Sequence, residues 1–194
     1  MSQKAFFPSE PIEQSLKSFH LEVLDSTSSL EKAANAYHLI WIREGKGFQK
    51  IDLHTRHIQQ NTLSFVGPHQ MYAWEGTVSQ GFQIRFTLDF LCATGFSDQS
   101  LSELRLFGDP QPCIHLDHAQ DQKLLQMVRW WEEEAQSPSE IVEAWVGTIL
   151  KLILLTCHQI HRGQAKSEKK HGPLAELTHR FKELVEEKFT SWHK

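Results

Sequence analysis

The sequence predicts a mainly β fold with appended helices. Three observations carry this: short alternating strands from about Phe19 to Ile114, turn residues between them at regular spacing, and a change to helical period from Asp117 onward. At 194 residues the chain fits one domain of ordinary size plus an appendage, and twelve Phe in a 40% hydrophobic composition suffice for a real core.

The elements follow in order. Met1 to Lys17 is polar apart from Phe6-Phe7-Pro8 and reads as an N-terminal arm over 1–18. The β region spans 19–116. In it, His38 to Ile42 forms a strand that ends in a turn at Arg43-Glu44-Gly45-Lys46-Gly47, and Phe48 to Leu53 returns. Thr62 to Val66 is a strand closed by Gly67-Pro68. Met71 to Trp74 follows, then Glu75-Gly76, then a longer strand from Gly81 to Leu88. Strands of this length and spacing make a sandwich or barrel, and no helical stripe interrupts them to make a βαβ fold.

Residues 117–163 read as two helices. Asp117 is the N-cap of the first, with Leu124, Val128, Trp131 and Ala135 on one face and Glu132-Glu133-Glu134 as a solvated end. Ser137-Pro138-Ser139-Glu140 starts the second: Ser at N-cap, Pro at N1, Glu at N3. This helix is expected to end near Arg162, with Gly163 as its C′ residue. It carries two apolar stripes, Ile141-Trp145-Ile149-Leu152 and Val142-Val146-Leu150-Ile153-Cys157-Ile160. An arc so wide either is clamped between the β domain and the preceding helix or forms in part a two-fold contact between copies. Val146, Ile149, Leu150, Ile153 and Cys157 are the candidate dimer residues.

After Gly163 comes a polar linker, then a new amphipathic helix from Gly172-Pro173. Its stripe is Leu174, Leu177, Phe181, Leu184, Val185 and Phe189. Alone, a helix of this length is marginal in water. Residues 164–194 are therefore expected to be a linker and the first helix of a second domain, cut short.

Charge and cysteine usage bound the function. Residues 164–194 hold seven Lys/Arg against five Glu, a net of +2, leaving 13 against 19, or −6, in residues 1–163. An acidic body does not invite a phosphate backbone, so a DNA-binding surface would have to lie beyond Lys194. Cys92, Cys113 and Cys157 are odd in number and widely spaced, which suits reduced thiols in a cytoplasm. The opening residues lack the apolar region of a signal peptide, and no run reaches the roughly 18 apolar residues of a membrane span.

Three motifs in one order point to a family. Arg43-Glu44-Gly45-Lys46-Gly47 closes a strand; Leu63-Ser64-Phe65-Val66-Gly67-Pro68-His69-Gln70-Met71-Tyr72-Ala73-Trp74 follows; Gly81-Phe82-Gln83-Ile84-Arg85-Phe86 comes last. Together they resemble the N-terminal cupin domain of AraC-type transcriptional regulators. That family reads along the lines of VLEG-x-G, FIPPGQVHSW and GYxLxF. Leu174 to Phe189 looks like the first helix of the family's paired helix-turn-helix domain. The resemblance covers roughly residues 20 to 190. It implies a jelly-roll (cupin) barrel that binds a small-molecule effector, a two-helix unit that makes a homodimer, an N-terminal arm able to fold over the pocket, and contact with DNA through a further C-terminal domain.

Enzymatic cupins hold a metal with His-x-His, a Glu and a later His. Here the Glu position, seven residues before Gly45, is His38. Glu31-Lys32-Ala33-Ala34 stands where His-x-His belongs, Tyr72 replaces the later His, and His69 replaces the usual Gly. The expectation is no metal and no cofactor; the alternative is a metal-dependent cupin enzyme with an unusual site. His54/His57, His115/His118 and His158/His161 lack a carboxylate or cysteine cluster and read as ordinary surface or boundary histidines. Nothing resembles Gly-x-Ser-x-Gly, and no Cys has a local activation signal, so the chain is expected not to be an enzyme.

A non-catalytic pocket fits better. Alternation puts His38, Ile40 and Ile42 on one strand face and Leu39, Trp41 and Arg43 on the other, with either face able to point inward. Trp41 belongs to the core. Tyr72 and Trp74 share a face, as do Gln83, Arg85 and Thr87. The candidate effector residues are His38, Tyr72, Trp74 and Arg85, with Arg85 able to fork onto a carboxylate.

Overall fold

The computed structural model describes residues 19–24, 28–34, 36–108, 112–135 and 141–171. Its strands are β1 (Phe19–Leu24), β2 (Ser28–Ala33), β3 (Tyr37–Ile51), β4 (His54–Ile58), β5 (Thr62–Val66), β6 (Met71–Phe86) and β7 (Cys113–His115). Helices α1 (Leu88–Ala93) and α2 (Asp98–Glu103) lie between β6 and β7, and α3 (His118–Ala135) and α4 (Val142–His171) follow. The predicted mainly β fold with appended helices is what is observed.

All strands pair antiparallel in one sheet built on the long ribbon of β3 and β6. The Tyr37–Ile42 end of β3 and the Gly81–Phe86 end of β6 extend sideways as β1-β6-β3-β5-β7. The opposite ends of the two strands carry β4 and β2. Side chains reach from one half to the other: Ser64 Oγ of β5 donates to Gln49 Oε1 on the far half of β3 at 2.6 Å. The two halves therefore face each other as a sandwich. Among the described residues β1 and β7, the ends of the sheet path, are each paired on one side.

The ribbon corrects two expectations. No turn forms at Arg43 to Gly47, and no break at Glu75-Gly76; β3 and β6 run through both as single strands. The register instead slips between Ile42 and Gly45. A bulge takes up one extra residue and increases the local twist, which bends the ribbon without ending it. The turn that does form, at Asp52-Leu53, is fastened to the β5–β6 connection. Asp52 accepts from Gln70 Nε2 at 2.6 Å and from the Met71 N–H at 2.9 Å, while Gln70 Oε1 accepts from the Gly67 N–H at 2.7 Å. His69, in the same connection, has φ 69°, left-handed backbone that glycine adopts more cheaply.

The alternation expected in β3 buries both of its faces. Ile40 and Ile42 point between the sheet halves, with Leu24, Ile51, Val66, Tyr72, Trp74 and Val78. Leu39 and Trp41 point the other way, packing with Phe65, Phe82, Ile84 and Phe86 against the helices. The helix pair supplies Leu124, Val128 and Trp131 from α3 and Val146, Leu150, Leu154 and Cys157 from α4. A bidentate ion pair ties the layers, with Arg43 Nε and Nη2 on Asp121 Oδ1 and Oδ2 at 2.9 and 2.8 Å.

The helices differ from expectation in three ways. α1 and α2 were not anticipated; six residues are too short to show a period, though Thr87 and Ser97 cap them in the ordinary way. α4 does not stop at Gly163 but continues to His171, because an exposed glycine weakens a helix by about 1 kcal/mol without ending it. Glu132 is half-buried rather than solvated: burial pushes its carboxyl up, Arg129 opposes this, and Glu133 adds to it. Asp117 does cap α3, its carboxylate accepting from the Gln120 N–H at 2.8 Å. The Ser137-Pro138-Ser139-Glu140 start signal, the arm over 1–18 and the helix after Pro173 lie outside the described residues.

Candidate functional site

Cross-strand register builds the site in rows on the inner face. His20 of β1, Arg85 of β6, His38 of β3 and Val66 of β5 form the row at one rim. Glu22, Gln83, Ile40 and Ser64 form the next. Partners directly opposite in an antiparallel pair share a face, which is why residues distant in sequence converge here. From the facing half come Tyr72 and Trp74 of β6 and Gln49 and Ile51 of β3, paired Ile51 to Tyr72 and Gln49 to Trp74.

Gln83 organises the first cluster. Its Nε2 donates to His38 Nδ1 at 2.6 Å and to Tyr72 Oη at 3.3 Å. The first bond requires the His38 tautomer that carries its proton on Nε2. The His38 and Tyr72 rings lie 5.0 Å apart, and Tyr72 and Trp74 6.5 Å. All four side chains are buried. Three of the four candidate residues, His38, Tyr72 and Trp74, thus come together. Arg85 lies beside His38 in register but is exposed, at the rim.

His20 sits next to Arg85 on that rim. Burial lowers its imidazole below the ordinary 6.5, the Arg85 cation lowers it further, and Glu22 partly restores it. Burial thus disfavours the charged imidazole at this rim, where one cation and one carboxylate flank it, while the interior behind it is lined by neutral groups able to donate and accept hydrogen bonds. Such groups form directional hydrogen bonds.

Sequence reasoning missed Gln83, Gln49 and Ser64. Gln83 had a signal, two residues from Arg85 on the same strand face. Gln49 had none, since it was assigned beyond a turn that does not exist.

The five candidate dimer residues, Val146, Ile149, Leu150, Ile153 and Cys157, are all buried within this chain. The apolar side chains of α4 left exposed are Trp145, Leu152 and Leu155, with Ile141 just before the helix. The histidine pairs do not converge. The His57 ring lies tilted against Phe48 with centroids 4.4 Å apart, His115 Nδ1 lies 3.3 Å from Thr62 Oγ1, and His158 Nδ1 donates to the Leu104 carbonyl at 2.8 Å. Among the described residues no group of three or more His, Cys, Asp or Glu could hold a metal ion, and no helix is long and apolar enough to cross a membrane.

No protein family matches the sequence, and no curated protein does. Its structural neighbours include AraC-like regulators and cupin proteins. One is the AraC-like transcriptional activator CuxR, with a TM-score of 0.47 and 12% identity over 74% of this chain and 52% of that one. A second is ToxT from Vibrio cholerae, with a TM-score of 0.41 and 11% identity over 75% and 58%. A third is a cupin protein from Bacteroides fragilis, with a TM-score of 0.31 and 16% identity over 44% and 82%. The chain thus spans a little over half the length of each of the two regulators.

Proposed function

We propose that this chain is the ligand-sensing and dimerisation region of an AraC-type transcription regulator, cytoplasmic and non-catalytic. Its sheet would be a cupin jelly roll binding a small-molecule effector between its halves, and DNA would be contacted by a further domain. The three ordered sequence motifs support the family. The observation that carries the binding role is the buried hydrogen-bonding cluster of Gln83, His38 and Tyr72, backed by Trp74 and bordered by Arg85. Buried polar groups cost stability unless satisfied, and a cluster of them in an otherwise apolar interior is the composition of a ligand site.

Self-association would use the exposed side of α4, since the opposite side is spent on the core. Leu152 and Leu155 are exposed where Ile153 and Leu154 are buried. An effector would bias one of two dimer or linker arrangements through its differential affinity for them.

Sedimentation equilibrium with elemental analysis of the same sample tests this. A metal-free dimer that Leu152→Glu converts to a folded monomer is the expected result. A monomer carrying about one equivalent of iron, zinc or manganese would overturn it in favour of a cupin enzyme.

A further inference from the structure

Gln49 is 5% exposed, and its amide spans the two sheet halves through the bond from Ser64 Oγ to Oε1. The Nε2 of the same amide is buried and has no hydrogen-bond partner among the described residues. A buried donor left unmade costs about 1–3 kcal/mol, so native interiors place an acceptor against it.

The surroundings say what kind of acceptor fits. In register, Gln49 lies between Trp74 on β6 and Arg56 on β4. Ser64 lies between Ile40 on β3 and Cys113 on β7. Trp74 and Ile40 are buried in the inner cluster and supply aromatic and aliphatic walls. Arg56, hydrogen-bonded to Cys113, brings a cation to the same corner. On this side the two halves meet through side chains, Gln49 of β3 with Ser64 of β5 and Arg56 of β4 with Cys113 of β7.

We infer that this corner is a recognition site for an sp² oxygen, a carboxylate or carbonyl on a small and otherwise apolar molecule, received by Gln49 Nε2 beside the Arg56 guanidinium. The inference rests on the reading that the interior takes a small molecule, and it moves that molecule's polar anchor from the Arg85 rim to Gln49. The Ser64 hydroxyl fixes the amide by donating to Oε1, which leaves Nε2 as the group offered. A carboxylate would gain more than a carbonyl from the nearby cation.

Hexanoate and hexanamide, titrated into the wild-type protein, are the probes, followed through the ¹H–¹⁵N side-chain amide resonance of Gln49. That resonance is expected to move saturably, and the difference between the two probes reports the contribution of Arg56. Gln49→Glu keeps the acceptor for Ser64 but removes the donor, and should weaken binding by about tenfold. Arg85→Ala should weaken binding less than Gln49→Glu does. The wild-type resonance decides even if the variant does not fold. Binding that leaves the Gln49 amide unmoved and is abolished by Arg85→Ala would overturn the corner while the sensing role stands. Failure of both probes to bind up to their solubility would also overturn it, with sedimentation and metal analysis deciding the proposed function separately.

Discussion

Gly47 lies directly opposite Gly76 in the β3–β6 ribbon, and both have left-handed backbone, at φ 137° and 133°. A Cβ on Gly47 would stand 2.1 Å from the Glu75 carbonyl oxygen, and one on Gly76 2.2 Å from that of Lys46. The two backbones touch at the point where the ribbon passes from one sheet half to the other. This pair, with the register slips before it, lets one pair of strands serve both halves and brings Gln49 over Ser64 and Tyr72 over His38.

Gly47→Ala and Gly76→Ala should therefore each destabilise the fold by roughly 3 kcal/mol or more, from backbone strain plus overlap with backbone that cannot move aside. Urea denaturation checks this. Gly163→Ala, in open space on α4, should stabilise by up to about 1 kcal/mol.

The Arg43–Asp121 pair joins the bent ribbon to the first turn of α3. Asp121 is buried and Arg43 nearly so, with side-chain exposures of 4% and 15%. Asp121→Ala should cost about 3–5 kcal/mol, since it strands a desolvated cation. Arg43→Met together with Asp121→Leu should recover most of that loss in the same denaturation assay.

His20 gives a pH dependence of definite sign. Its folded pKa is depressed below 6.5, so the unfolded chain binds the proton more readily. The stability it contributes is fully present above pH 6.5 and is lost as pH falls from there through the folded pKa. His20→Gln should flatten stability against pH in that window. Arg85→Ala should flatten it partly, by removing the neighbouring cation. Thermal midpoints measured between pH 7.5 and 5 would show both effects.

Thiol labelling should separate the cysteines. Cys92 is exposed, Cys113 partly buried, and Cys157 fully buried with its thiol pushed up to about 12. With a thiol-reactive disulfide at neutral pH, Cys92 should react first and Cys113 more slowly, its raised thiol pKa held back by Arg56. Cys157 should react only after unfolding.

The exposed stripe of α4 and its buried stripe should respond differently to charge. Ile153→Glu places a carboxylate in the core, where Ile153 is 2% exposed, and should unfold the domain. Leu155→Glu should leave circular dichroism nearly unchanged while weakening the proposed self-association.

The sequence by itself determined what depends on local chemistry: a β region of alternating strands, the Asp117 cap of α3, the two apolar stripes of α4, and the common strand face of Tyr72 and Trp74. Period and capping are properties of a few neighbouring residues, so they can be read in one dimension. Tertiary structure decided the rest. Glycines at 45, 47 and 76 look like turns, yet the ladder between β3 and β6 carries the strands through them, because many cross-strand bonds outweigh the local preference for reversal. Which stripe of α4 is core, and which face of β3 meets the helices, followed only from packing, since both alternatives are apolar. Gln49 and Ser64 meet because a ribbon bends between them, and no spacing along the chain encodes that contact.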